Sequence, residues 1–388
     1  MINNLNFKKE IFLGLKKIIG KNTPRLHDPL FIGNEKKYLN QCISSGFVSY
    51  VGKFVNNFEK KIAKYTKVKY AIATNSGVSA IHLVLKYFKL NSNDEVIIPS
   101  YTFVATANAV KYCGSTPNFV DIETKTLGIC PKKLDLYLKR ITKKKGSNFY
   151  NKKTGKKIKA LIAVHVYGFP CKINEIKKIC KKYNIILIED AAEAIGSFFK
   201  KKHLGTFSEA GIISFNGNKT LACGGGGVVL TNNKKMAIKL KHLSTQAKIR
   251  NKNDHIHDEI GYNYRMTNLP AAVACAQLEK INTILSAKRL NFKSYQKVFK
   301  KNQYINFIQE PKNSRCNYWL ITGILKKNNL RNNLIKYLKL KGFSLRSSWR
   351  PLHTLKIFKQ CPKDNMYYSM SVFNNAISFP SSPSISYK

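Results

Sequence analysis

Between residues 68 and 240, short β-branched apolar runs alternate with helix-like segments. KYAIATN precedes GVSAIHLVLKYF, and DEVIIPS precedes TFVATANAVKYC. TPNFVDI is followed by a helix from about Pro131; KALIAVHVYG precedes INEIKKICKKYN; then come IILIED, GIISF and GVVLTN. This rhythm predicts a mostly parallel sheet covered by helices. The runs are apolar throughout rather than alternating, as expected of strands buried on both faces. The polar, basic segment 140–159 reads as a solvated, loop-like excursion between two sheet units. After a helix at AAVACAQLEKI, residues 271–281, the alternation thins, which predicts a second, smaller domain. No internal repeat is present.

At 388 residues with 44% hydrophobic content, the chain can bury a substantial core, and general disorder is excluded. No apolar run is long enough to span a bilayer. The start, MINNLNFKKEIFLGLKKIIGKN, is basic and mildly amphipathic, but its apolar stretch is short and it lacks a small-residue cleavage site. It reads as a terminal helix packing on the body rather than a signal peptide; a membrane-surface helix is the alternative. Nine cysteines without a C-x-x-C pair argue for reduced thiols in a cytoplasmic protein, not for a zinc ribbon or disulfide framework. The net charge of +48 comes from lysines spread along the whole chain. That is compositional drift rather than a nucleic-acid patch, although such a field draws in anionic substrates.

In open parallel sheets, ligands bind beyond the carboxyl ends of the strands. There the sequence sets Asn75 to Ser79 after YAIAT, and Ser100, Thr102 and Phe103 after EVIIP. Asp190 follows IILIE, and Asn216, Asn218 and Lys219 follow GIIS. Ser76, Gly77, Val78 and Ser79 open a helix whose N–H groups suit a phosphate; an ordinary helix cap is the plainer reading. Asp190, at the end of an apolar strand, needs a cationic partner, either a bound cofactor or a distant arginine. Lys219 is either a solvated turn lysine or a desolvated amine able to bond covalently to an aldehyde. The four glycines after it serve a flexible turn or a close backbone approach to a ring. NDHIHDE raises a metal site, but its two histidines read better as loop residues.

Together these motifs resemble the DegT–StrS family of pyridoxal-phosphate sugar aminotransferases, of fold type I. NSGVSAIHLVL, PSYTFVATANAV, VHVYGFP, IEDAAEAIGS, SFNGNK with its glycines, and GYNYRMTNLPAAVACAQLEKI occur in the family's order. The resemblance implies an α/β fold: a mostly parallel seven-stranded sheet with a smaller C-terminal α+β domain. It divides the chain into a basic N-terminal arm (1–28), a large cofactor-binding domain (29–284) and a small domain (285–388), shorter at its end than is usual in the family. FIGNEKKYL, KKTGKKIKA and PLHTLKIFKQCP look most like the branch aminating UDP-linked 4-keto-6-deoxy-N-acetylhexosamines, with glutamate as donor, for surface glycans.

The site residues follow from the same resemblance. Lys219 matches the lysine that holds pyridoxal 5′-phosphate covalently. Asp190 matches the carboxylate facing its pyridine nitrogen, and Phe103 the aromatic ring stacked on it. Ser76, Gly77, Val78, Ser79 and Ser214 fall at phosphate-binding positions, with Val78 standing where the family usually has Thr. Glu193 and Asn216 fall near the cofactor. Asn263 and Arg265 lie in the loop that family homodimers lend to the neighbouring active site. His353, Tyr101 and Arg265 fall on the sugar side. Two alternatives stand beside this: a sugar dehydratase of the same fold, in which histidine replaces the lysine, and an idle regulatory or nucleic-acid-binding relative.

Overall fold

The protein was analysed as a computed structural model, which describes residues 4–20, 25–249, 254–327 and 329–387. Eleven strands precede residue 240: β1 (Tyr70–Thr74), β2 (Asp94–Pro99), β3 (Thr116–Val120), β4 (Thr142–Lys145), β5 (Asn148–Asn151), β6 (Lys157–Val164), β7 (Ile186–Asp190), β8 (Phe198–Phe199), β9 (Lys202–His203), β10 (Ala210–Ser214) and β11 (Gly227–Thr231). Seven of them lie side by side in the order β1-β11-β10-β7-β6-β2-β3. The run from β10 through β7, β6 and β2 to β3 is parallel, and β11 is antiparallel to both of its neighbours. The expected mostly parallel, seven-stranded path is therefore present.

Its apolar strands are buried because helices cover both faces. Every residue of β2, β10 and β11 is shut off from solvent. The helix Ile173–Lys182 shows the covering pattern: Ile173, Ile176 and Cys180 are buried, and its lysines point away.

One expectation is corrected. Segment 140–159 is not a loop but a β-hairpin, β4 against β5, whose far strand touches β6 at Tyr150 opposite Lys157. The two-residue turn Gly146–Ser147 closes it, with Gly146 at φ +59°, a left-handed conformation suited to tight hairpins. Lysines mask the strand because their ammonium groups stay in water. Its one deeply buried polar side chain, Asn151, donates to the buried Glu95 carboxylate.

Five further strands follow: β12 (Ile305–Phe307), β13 (Ser314–Arg315), β14 (Ile321–Leu325), β15 (Arg346–Ser347) and β16 (Ala376–Phe379). Four form a second antiparallel sheet in the order β12-β14-β16-β15, while β13 joins β8 and β9. The helix Ile281–Val298 runs through the expected boundary at 284/285. The N-terminal helix Asn4–Ile19 packs on this part of the molecule, against helices Ile281–Val298 and Arg331–Leu340. Phe7, Ile11 and Leu15, one turn apart, are fully buried in a cluster with Phe299 and Phe343. Each such side chain contributes about 1.5–3 kcal/mol of burial, so the amphipathic face is used inside the protein. Among the described residues no helix is long and apolar enough to cross a membrane.

The arrangement fixes where chemistry can occur. The carboxyl ends of β1, β2, β7 and β10 share one edge of the large sheet, and the segments entering β14 and at β15 face that edge from the smaller sheet.

Candidate active site

A cavity of about 310 Å³ lies at this edge. The helix Gly77–Tyr87 brings its N-terminus to it, with Ser76 as N-cap: Ser79 N–H donates to Ser76 Oγ at 3.1 Å. The first-turn N–H groups of Gly77 and Val78 have no acceptor within their own helix, so the cavity wall offers donors and the positive end of a helix dipole. Gly77 lets the helix start lie close to β10: a Cβ there would come within 3.1 Å of Ser214 Cβ, which would have to give by a few tenths of an ångström.

Asp190 ends β7 and is 5% exposed. Thr106 Oγ1 donates to its Oδ2 at 2.7 Å, and Ala192 N–H donates to its Oδ1 at 3.1 Å. These bonds fix the carboxylate and leave it without a cationic partner among the described residues. Such a buried acid suits a protonated ring nitrogen.

Lys219 lies in the turn after β10, where its N–H donates to Asn216 O at 2.8 Å. Its side chain is mostly buried. Nζ donates to Glu193 Oε1 at 3.1 Å and lies 3.8 Å from the centre of the Trp319 ring. Glu193 Oε2 accepts from Tyr167 N–H at 2.8 Å. Burial raises the Glu193 carboxyl above its usual range, and the Lys219 ammonium opposes that rise. Amine and acid thus wall one enclosed space, with phosphate donors at a third side and Phe103 half-exposed over it. The residues present fit a phosphorylated pyridine aldehyde: a nucleophilic amine, an acid for the ring nitrogen, an aromatic face and an anion-binding helix end.

The DegT/DnrJ/EryC1/StrS aminotransferase family profile matches residues 31–388. The chain belongs to this family. It is an aminotransferase dependent on pyridoxal 5′-phosphate. Among similar proteins is a GDP-perosamine synthase of Vibrio cholerae, 34% identical over 363 residues, 93% of this chain and 94% of that one. A UDP-4-amino-4,6-dideoxy-N-acetyl-β-L-altrosamine transaminase of Campylobacter jejuni is 30% identical over 315 residues, 80% of this chain and 79% of that one. A crystal structure of a family aminotransferase from Brucella abortus superposes with a TM-score of 0.82 at 25% identity, covering 90% of each chain.

In this aminotransferase, Ser76, Gly77, Val78, Phe103, Asp190, Glu193, Ser214, Asn216 and Lys219 line the cavity together, and Ser79 stands one residue behind Val78. Four expected residues are not brought into it within the chain. Tyr101 is fully buried, with its hydroxyl 3.2 Å from that of Tyr167; burial pushes that hydroxyl up to about 12 and closes it off from a sugar. His353 Nδ1 is tied to Ser100 Oγ at 2.6 Å. Asn263 is exposed and does not line the cavity; its carbonyl accepts from Asn75 Nδ2 at 3.1 Å. Arg265 is buried against Glu59 Oε1 at 2.5 Å and Ala73 O at 3.0 Å, beside a separate groove with Tyr50 and Val51.

Thr106, Trp319, Trp349 and Arg346 line the cavity but carry no signal beyond composition. The chain has two tryptophans, and both are here, which is the one hint that was available. In the NDHIHDE segment, residue 253 lies outside the described residues. His257 Nδ1 hydrogen-bonds Gln246 O at 2.7 Å, while Asp258 and Glu259 gather around His242 at the surface, with Lys239 paired to Glu259.

Proposed function

We propose that this aminotransferase converts the 4-keto group of a nucleotide-linked 6-deoxy sugar to an amine, with glutamate as donor, in the cytoplasm and for surface glycan assembly. The observation that carries the reading is the shared cavity in which Lys219 faces the fixed carboxylate of Asp190. When bound, pyridoxal phosphate supplies an electron sink for the carbon that carries the transferred nitrogen. Asp190 would hold the ring nitrogen protonated through a charge-assisted bond of about 1.5–3 kcal/mol. Ser76 to Ser79 and Ser214 would hold the phosphate, and Phe103 would pack against the ring. Lys219 Nζ takes the α-proton of glutamate in the first half-reaction and delivers a proton to C4 of the sugar in the second.

The nucleotide is the finer question. FIGNEKKYL and PLHTLKIFKQCP suggested a UDP-N-acetylhexosamine. The identity to proteins named for GDP-perosamine, at 34% and 35%, exceeds the 30% to the UDP-altrosamine transaminase, which favours a GDP-linked sugar. The working assembly is a homodimer with shared active sites. Tyr50 at 43% and Val51 at 63% exposure offer apolar surface along the Arg265 groove, as an interface requires.

The test is incubation of holoenzyme with glutamate and, in turn, GDP-, UDP- and dTDP-linked 4-keto-6-deoxy sugars, read by mass. One sugar should gain an amine as 2-oxoglutarate appears. Solvent deuterium entering glutamate without an aminated sugar from any of the three would retain transamination and reject these acceptors. Neither aminated sugar nor deuterated glutamate from any of these incubations would reject the reading.

A further inference from the structure

Trp319 covers the amine of Lys219. Nζ lies 3.8 Å from the centre of its ring, and the indole Nε1–H donates at 2.7 Å to the carbonyl of Asn218, the peptide oxygen just before Lys219. One side chain therefore grips both the main chain and the tip of the lysine. Trp319 is itself held firmly. Its N–H donates to Asn317 Oδ1 at 2.9 Å, and its carbonyl accepts from Lys288 Nζ at 3.1 Å and Ser381 Oγ at 3.2 Å. Lys288 is 1% exposed and spends its donors on the main-chain carbonyls of Trp319 and Ser381. A lysine buried without a carboxylate is costly, and this one anchors the segment that carries the tryptophan.

We propose that Trp319 is a positioning residue of the transamination, holding Lys219 as a dehydrated ammonium ion aimed into the cavity until its amine is taken up by the cofactor aldehyde. The inference rests on Lys219 being that amine. An aromatic face attracts a cation most strongly where water is excluded, and indole does so best. The ring face holds the charged tip of the lysine in the cavity, and the indole N–H, bonded to the Asn218 carbonyl, fixes the direction of the main chain just before it. The other charged groups facing Lys219 are Glu193 at 3.1 Å, and Asp190 and Arg346 on the cavity wall. His27 is also close enough to feel the lysine. Burial, and after it the charges of Lys288 and Lys219, hold His27 well below the usual imidazole range, so it adds no positive charge at neutral pH.

The experiment follows capture of pyridoxal phosphate by the full-length chain freed of cofactor, as the rise of the bound-cofactor absorbance against pH. Trp319→Leu should lower the pH midpoint of the capture rate by about half a unit to one unit. Trp319→Phe keeps an aromatic face but loses the bond to Asn218. Its midpoint should stay near wild type while its high-pH rate falls several-fold. A merely structural role would lower stability in both variants without moving the midpoint. A Trp319→Leu midpoint at or above that of wild type overturns the proposal, and so does a Trp319→Phe plateau equal to wild type. If Trp319→Leu fails to fold, the Phe variant decides alone. Lys219→Ala should capture no cofactor covalently. Covalent capture by that variant overturns the lysine assignment and this inference together, whereas failure of the tryptophan variants alone leaves the lysine in place.

Discussion

Lys219 Nζ donates to Glu193 Oε1 at 3.1 Å, and neither side chain is more than 12% exposed. Burial raises the Glu193 carboxyl, and the lysine only partly offsets this. A carboxyl raised on folding contributes stability that is fully present below its unfolded pKa and lost as pH rises through its folded value. Glu193→Gln keeps a group that can accept from Tyr167 N–H but removes the titration. The stability of wild type relative to Glu193→Gln should therefore be greatest near about pH 4 and fall toward pH 7. Urea denaturation at a series of pH values measures this; a constant difference would show that folding leaves the Glu193 carboxyl at its unfolded pKa.

Lys219→Ala should abolish transamination. It removes the proton carrier, worth about 10²–10⁴-fold by itself, together with the covalent hold on the cofactor. Borohydride reduction of wild-type holoenzyme should leave a pyridoxyl group on the peptide containing Lys219, and the variant should carry none. Turnover at the wild-type rate in Lys219→Ala would end the proposed chemistry.

Asp190→Asn should keep the cofactor and lose most of the rate, because an amide does not hold the ring nitrogen charged. Thr106→Val tests the support beneath it. This variant deletes the 2.7 Å bond to Asp190 Oδ2 while the 3.1 Å bond from Ala192 N–H remains. A hydrogen bond to a charged group is worth about 1.5–3 kcal/mol, so the half-reaction with glutamate should slow by about ten- to a hundredfold. Stopped-flow absorbance gives this rate. A Thr106→Val rate equal to wild type would show that Ala192 alone orients the acid.

The strands of the large sheet were legible because burial on both faces fills them mostly with apolar residues, as in the VIIP of β2 and the AIA of β1. The hairpin of residues 142–151 was not, because lysines satisfy a solvated strand without any apolar alternation. The cavity residues at strand ends, Asp190 and Lys219 among them, could be read from their position in the βα rhythm. Trp319 and Arg346 could not, since they reach the site from the second sheet and no local pattern ties residue 319 to residue 219. Tyr101 misled for the opposite reason. It lies two residues past the end of β2, as a ligand contact would, but its ring turns inward onto Tyr167.

Gly168 is expected to tolerate no side chain. Its φ is +86°, and a Cβ would collide with the Asn317 amide oxygen. Asn317 Nδ2 in turn donates to Glu193 O at 2.8 Å and Ile195 O at 2.9 Å, so the collision falls on the segment that carries the partner of Lys219. Gly168→Ala should cost about 2 kcal/mol or more, combining left-handed strain with a displaced buried amide. Thermal unfolding checks the stability, and weaker cofactor retention checks the link to Glu193. A change below about 0.5 kcal/mol, the ordinary range for surface positions, would mean that the loop relaxes freely.

The proposed homodimer predicts a different kind of loss. Val51 is 63% exposed beside Tyr50, Ile238 and Ile249, in a groove whose floor includes the buried Arg265. An aspartate there would be stranded without water if a second copy covers this face. Val51→Asp should shift the chain from dimer to monomer in sedimentation and lose activity in step, because Asn263 and the Arg265 loop would no longer reach a neighbouring cavity. Leu136→Asp is the control: Leu136 is 59% exposed on the helix Pro131–Ile141, away from that groove, so both assembly and rate should be retained. Activity that falls in Val51→Asp while the dimer persists would locate the effect within one chain. A variant that stays both dimeric and active would remove this face from the interface.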